Sequence, residues 1–196
     1  MPHPFNVVRD FETELCRYTG ARYAVAVNSC TMALLLACAR HGVEKVTLPK
    51  YTYVGVPQSV LHAGGTVEFE DCGWTGEYQL KPYPIWDSAR RFTGSMYRPG
   101  KTQCVSFHAS KILSLEQGGA ILHDDWQADN WYRKARFDGR TEGVHPRDDA
   151  ITRGWHCYMS PSVAAQGLLR LYSLPKKNAD LPNSDYSDLS LIGCFR

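Results

Sequence analysis

Between Thr31 and Arg40 the chain reads Thr-Met-Ala-Leu-Leu-Leu-Ala-Cys-Ala-Arg, a helix-prone stretch that is apolar on nearly every side and is stopped by Gly42. A helix without a polar face needs apolar neighbours all round it. The apolar run from Met32 to Ala39 is far too short for a membrane span, so those neighbours must be protein. The flanking segments say what kind. Ala21 to Val27 is short, β-prone and bounded by Asn28-Ser29, and Lys45 to Leu48 ends at Pro49. Both read as buried strands, with the apolar helix sandwiched beside them.

The alternation continues along the chain. Thr66 to Phe69, Tyr83 to Trp86, Gln103 to Phe107 and Gly119 to Leu122 read as further strands. Helices are expected at Pro57 to Ala63, Asp125 to Arg136 and Ser162 to Tyr172, the last opened by Ser160-Pro161. A first helix carries Phe5, Val8, Phe11, Leu15 and Tyr18 at helical spacing and closes at Gly20. Strands alternating with helices predict an α/β fold, a mainly parallel sheet with helices on both faces. Asp138 to Arg153 has charges, two glycines and no apolar period, and reads as a surface loop. Beyond Leu174 the chain turns to Pro, Asn, Asp and Ser. The expected division is a compact domain over 1–174 and an extended C-terminal tail over 175–196.

Composition removes several classes of function. With 196 residues, 43% hydrophobic and 21% charged, the chain can bury a core without disulfide or metal staples. A net charge of +2 argues against a dedicated histone-like nucleic-acid binder. Met1-Pro2-His3-Pro4 has no basic region leading into an apolar one, so no signal peptide is expected, and no membrane association. Seven cysteines, an odd number with no C-x-x-C spacing, read as reduced thiols in a cytoplasmic compartment, with no metal site.

Three places carry chemistry. Asn28-Ser29-Cys30-Thr31 stands between a strand and the apolar helix, where free N–H groups and hydroxyls form either a phosphate cradle or an ordinary helix cap. Asp87 follows Pro84-Ile85-Trp86, at the carboxyl end of a strand, where such sheets bind ligands or where a cap precedes Ser88-Ala89. Lys111 ends Ser106-Phe107-His108-Ala109-Ser110-Lys111, again just past a strand, and an amine there forms a Schiff base if its pKa is lowered. A phosphate cradle, a carboxylate for a pyridine nitrogen and a Schiff-base lysine are together what pyridoxal 5'-phosphate requires.

The segments Ala24-Val25-Ala26-Val27-Asn28-Ser29-Cys30-Thr31-Met32-Ala33-Leu34, Leu48-Pro49-Lys50-Tyr51-Thr52-Tyr53, Ile85-Trp86-Asp87-Ser88-Ala89, Val105-Ser106-Phe107-His108-Ala109-Ser110-Lys111 and Gly154-Trp155-His156-Cys157-Tyr158-Met159 resemble the DegT/DnrJ/EryC1/StrS family, the fold type I sugar aminotransferases. The resemblance runs from about Phe11 to Leu171. It implies a fold type I large domain and gives Lys111 the covalent cofactor link and Asp87 the ring nitrogen. Tyr53 would stack on the ring, with Ala89 against it. Ser29, Cys30, Thr31 and Ser106 would border the phosphate, with His108 in the site. It further implies a homodimer with sites at the interface, where His156 would reach the neighbouring subunit.

The departures are specific. Between Asp71 and Pro84 the chain is shorter than the family norm, so a helix and a strand are expected to be missing, and no small domain follows Leu171. Arg90 replaces the usual glutamine or histidine, His156 an asparagine and Tyr158 an arginine. The expected function is an aminotransferase acting on a nucleotide-linked sugar or similar phosphorylated substrate, held by Arg90, Arg133, Arg136 and Arg153, the last three belonging to a basic stretch that also reads as a solvated helix face with dimer contacts. Two alternatives stay open: a decarboxylase or related enzyme acting on an amino-acid adduct of a larger carrier such as modified phage DNA, and a non-catalytic relic of the fold.

Overall fold

A computed structural model describes residues 3–183 and 185–195. Met1 and Pro2 of the N-terminal reading, and Ser184 and Arg196 of the predicted tail, lie outside the described residues.

Helix α1 (Asn6–Thr19) buries Val8, Phe11, Leu15 and Tyr18 along one stripe and ends where Gly20 takes φ +81°. Strand β1 (Tyr23–Val27) leads into α2 (Cys30–His41), which Ser29 caps by accepting the Met32 N–H at 3.2 Å. Strand β2 (Lys45–Pro49), α3 (Gly55–His62) and β3 (Thr66–Glu70) follow, with β2 and β3 parallel. Next come β4 (Tyr78–Leu80), β5 (Ile85–Asp87), β6 (Thr102–Ser106), β7 (Gly119–His123), α4 (Trp126–Ala135) and α5 (Pro161–Ser173). The loop over 138–153 holds one 3-10 turn, Pro146–Asp148, and two more close the chain at Leu189–Leu191 and Gly193–Phe195.

The main sheet has the order β1-β7-β6-β5-β4, and the β2–β3 pair is joined to it by an antiparallel bridge between Thr47 and Lys81. Strand β7 runs antiparallel to both β1 and β6, and β4 runs antiparallel to β5, while β5 and β6 are parallel. It follows that β1, β2, β3, β5 and β6 share one direction and only β4 and β7 oppose it. The sheet is therefore mainly parallel in strand direction but mixed in its pairings. The period-2 alternation of β1 divides the core. Val25 and Val27 meet α2 on one face, and Ala24 and Ala26 meet the α1 and α5 cluster on the other. Helix α2 buries Ala33 to Cys38 between the sheet and the helices α3 and α4, which accounts for its lack of a polar face. No described helix is long and apolar enough to cross a membrane.

The structure corrects the reading of the stretch between Asp71 and Pro84, which does hold a strand. Tyr78–Leu80 is only three residues, too short for an alternating pattern to declare itself, and it forms by pairing with β5. After α5 the described residues hold no helix or strand until Leu189, yet the segment is tied down. Asn178 Nδ2 donates to the Phe92 carbonyl at 3.0 Å, Asp180 pairs with Arg91 at 2.6 Å, and Asp188 pairs with Lys50 at 3.2 Å.

One close approach fixes the edge where the site forms. A Cβ on Gly119 would stand 2.6 Å from the Cys30 nitrogen and 2.8 Å from the Val105 oxygen, both backbone atoms. Gly119→Ala is expected to push the start of α2 off β7 and lose about 1–3 kcal/mol. Urea unfolding should show an earlier midpoint with an unchanged slope, and an unchanged midpoint would refute the close packing.

Candidate active site

Because β1, β5 and β6 point the same way, their carboxyl ends lie along one edge of the sheet, the position where open α/β sheets bind ligands. Ser29 follows β1, Asp87 ends β5 and Ser106 ends β6, with Gly118 and Gly119 pairing between Ser29 and Ser106. A cavity of about 330 Å³ opens there. Ser29, Cys30, Thr31, Tyr53, Asp87, Ala89, Arg90, Ser106, His108 and Lys111 all line it, so residues spread over more than 80 positions of sequence meet in one place.

Each wall has a local cause. The first turn of α2 brings the Cys30 and Thr31 amides, which have no acceptor inside the helix, to the cavity border. Gly55 leaves room for the Tyr53 ring beside Thr31: a Cβ there would stand 2.7 Å from the ring and 2.8 Å from Thr31 Oγ1. Tyr53 is 56% exposed at the mouth. His108 sits on the exposed loop after β6, with Nδ1 2.9 Å from Ser110 Oγ and its carbonyl accepting the Lys111 N–H at 2.8 Å. The turn Ser106 to Lys111 thereby carries the Lys111 amine into the cavity.

Asp87 is 5% exposed. Its Oδ1 accepts the Ala89 N–H at 2.9 Å and its Oδ2 accepts the Tyr78 hydroxyl at 3.0 Å. Burial pushes this carboxyl above the usual carboxylate range. The Ala89 amide, the Tyr78 hydroxyl and the charges of Lys111 and Arg90 pull it back. Lys111 moves the other way: partial burial and then the Arg90 guanidinium hold its ammonium below the usual lysine value, against Asp87 and Cys30. Burial raises the thiols of Cys30 and Cys104 well above theirs, so both stay protonated and serve as packing.

The donor set fits pyridoxal phosphate. Three hydroxyls, a helix start, a buried carboxylate, an amine of lowered pKa and an exposed aromatic ring line one cavity. Val56, Trp74 and Tyr186 line the cavity from outside every motif segment. Tyr186 comes from the tail, lies 6.2 Å from Trp74 in a stacked arrangement and sits under the Arg90 guanidinium at 5.8 Å. Arg90 also donates through Nε to the Pro182 carbonyl at 2.8 Å, so the tail forms part of the cavity wall.

The other arginines stand away from the Lys111 cavity. Arg136 is 2% exposed and pairs with Glu12, and Arg133 Nη1 reaches the same carboxylate at 2.7 Å. Neither lines the Lys111 cavity, and neither does the exposed Arg153. A larger cavity of about 590 Å³ does include Arg133, but it lies apart from Lys111, among α1, α4 and the loop over 138–153, with Arg9, Arg22, Lys134 and Arg140 beside the carboxylates Glu12 and Glu142. His156 also stands away from the Lys111 cavity, with Nδ1 2.9 Å from Asp138 Oδ2.

Comparison with known proteins agrees with this geometry. The family model described as the DegT/DnrJ/EryC1/StrS aminotransferase family matches residues 4–85 and 87–181. The UDP-4-amino-4,6-dideoxy-N-acetyl-beta-L-altrosamine transaminase of Campylobacter jejuni is 25% identical over 85% of this chain and 57% of its own length. Among solved structures, Helicobacter pylori PseC, an aminotransferase involved in the biosynthesis of pseudoaminic acid, superposes with a TM-score of 0.73 at 17% identity, over 86% of this chain and 58% of that one. NtdA from Bacillus subtilis with bound cofactor PMP superposes with a TM-score of 0.72 at 20% identity, over 86% of this chain and 48% of that one. The chain thus spans about half the length of these relatives, and at such identities the structures speak for the fold, that of fold type I enzymes.

Proposed function

The chain belongs to the DegT/DnrJ/EryC1/StrS aminotransferase family, and from that premise we propose that it is a pyridoxal phosphate-dependent aminotransferase acting on a nucleotide-linked sugar. The observation that carries the reading is the meeting of Lys111, Asp87, Ser106 and the start of α2 in one cavity. When bound, the cofactor supplies a protonated pyridine ring that takes up the electron pair released at a substrate carbon. The residues of the chain do the rest. The hydroxyls of Ser29, Thr31 and Ser106 and the amides at the start of α2 receive the phosphate, whose charge the helix terminus favours. Asp87 keeps a proton on the ring nitrogen. Tyr53 would stack on the ring, with Ala89 against it. Lys111 Nζ, neutral over more of the pH range than an ordinary lysine amine, binds the cofactor covalently and moves the proton at the reacting carbon. Burial, and after it the positive charge of Arg90, hold that amine's pKa below the usual lysine value.

The substrate class is supported by the description of the Campylobacter relative, which names a UDP-linked amino sugar. Decarboxylation of an amino-acid adduct is favoured by none of the relatives named above. A homodimer belongs to this reading: Tyr51, Tyr53 and Val54 stand exposed by the cavity mouth, and a second copy covering them would bring a residue such as His156 to the site. Seven free thiols suit the cytoplasm.

Titration of the purified protein with pyridoxal phosphate is expected to give a visible absorption band. An α-amino acid donor should then bleach that band and release one keto acid per site. Adding a UDP-linked keto sugar should restore the band. A protein that never develops the band refutes the reading, and carbon dioxide released in place of keto acid would turn it toward decarboxylation.

A further inference from the structure

We propose that Tyr78 is a positioning residue for Asp87: its hydroxyl, backed by that of Thr52, holds the buried carboxylate ionised and fixed in orientation at the floor of the cavity. The inference rests on the reading of Asp87 as the partner of the cofactor's ring nitrogen, and adds Tyr78, from a part of the chain that carries none of the recognised motifs, with Thr52 behind it.

The geometry begins with register. Strand β4 pairs antiparallel with β5 so that Tyr78 stands directly opposite Asp87. Directly opposed side chains share a face of the sheet, which brings the phenol to the carboxylate. Tyr78 Oη lies 3.0 Å from Asp87 Oδ2 and 2.6 Å from Thr52 Oγ1, and all three residues are buried. The proton count then sets the direction of the chain. An ionised carboxylate only accepts, and a phenol has one proton, so Tyr78 donates to Asp87 and Thr52 donates to Tyr78. Bonds linked in this order polarise one another, and the one ending on the charge is the strong one.

What the relay offsets is the loss of water around Asp87. Of the direct contacts, only the Ala89 amide remains if the phenol is removed. The other groups facing the carboxyl are Cys30 at the start of α2 and Cys104 on β6, both held as neutral thiols by burial, and the cations Lys111 and Arg90 from the loops after β6 and β5. The phenol also keeps its own proton, because burial and the neighbouring carboxylate raise its pKa well above the usual tyrosine value. It is therefore a donor throughout the physiological range.

The test is Tyr78→Phe, read first in cofactor-free protein carrying ¹³C-labelled aspartate carboxyls, with the Asp87 signal assigned by its absence in Asp87→Asn. Losing a hydrogen bond to a charged group should raise the Asp87 titration midpoint by about one pH unit or more. The same loss should lower kcat about tenfold in the loaded enzyme while KM changes little, and shift the acidic limb of the kcat profile upward by the same amount. An Asp87 midpoint unchanged in Tyr78→Phe overturns the inference. Should that variant fail to fold, Thr52→Val takes its place: removing the second donor should give a smaller upward shift, and no shift would overturn the relay. If wild-type protein binds no pyridoxal phosphate, the proposed function falls, and the carboxyl titration still decides whether Tyr78 governs Asp87.

Discussion

Lys111→Ala is expected to abolish turnover and to separate cofactor binding from cofactor attachment. The phosphate contacts at the start of α2 and the Ser106 hydroxyl do not involve Lys111, so the variant should still take up pyridoxal phosphate, more weakly. After borohydride treatment and denaturation, however, the cofactor should leave the variant and stay on the wild type. Among the described residues Lys111 is the only lysine lining the cavity, so no second amine is placed to replace it. Loss of the group that both attaches the cofactor and moves the proton should lower kcat by about 10⁴-fold or more. The pH dependence has a definite sign. An amine adds to a carbonyl only when neutral, so attachment should speed up as pH rises through the Lys111 pKa. Burial and Arg90 place that rise below the value of an ordinary lysine. Borohydride-stable cofactor on Lys111→Ala at wild-type stoichiometry would move the attachment elsewhere.

What could be read from the sequence, and what could not, divides by the range of the forces involved. Helix α1 declares itself through Val8, Phe11, Leu15 and Tyr18, and α2 through its cap at Ser29 and stop at Gly42, because spacing and capping are local properties. Ser29, Asp87, Ser106 and Lys111 were legible for a similar reason: each sits where a strand ends, and strand ends show in composition. The direction of β7 was not legible, since a strand's own residues do not say whether its neighbour runs with it or against it. Nor was β4, whose three residues form a strand only by pairing with β5. The place of Tyr78 opposite Asp87 follows from that pairing, and Tyr186 arrives from a tail nearly a hundred residues beyond Arg90. The pairing of Arg133 and Arg136 was not legible either, because their charge is visible in sequence while their partner, on α1, is more than 120 residues away.

That partner sets the second large effect. Glu12, buried on α1, accepts the Ala26 N–H at 2.8 Å, pairs with Arg133 at 2.7 Å and pairs with Arg136, itself bonded to the Ala26 carbonyl at 2.6 Å. One carboxylate thus ties α1, β1 and α4 together. Glu12→Ala would leave the Arg136 guanidinium buried with a carbonyl and the more distant Glu142, 3.9 Å away, in place of its main counter-charge. Breaking a buried pair by removing one partner costs about 3–5 kcal/mol. Against a total stability of about 5–15 kcal/mol this is a large share, and for a chain of this length it corresponds to a fall in Tm of roughly 6–20 °C. Replacing both charges at once should recover much of the loss, because Glu12→Leu with Arg136→Met exchanges a desolvated pair for apolar packing. Cofactor uptake by the single variant, measured well below its Tm, should match wild type, since neither Glu12 nor Arg136 borders the Lys111 cavity. If Glu12→Ala instead left Tm unmoved while Arg136→Met abolished binding of the nucleotide sugar, these arginines would be substrate ligands after all. The buried geometry around Glu12 argues for the first outcome: a guanidinium that is 2% exposed and already bonded to a carboxylate and a backbone carbonyl has no open face to offer a phosphate.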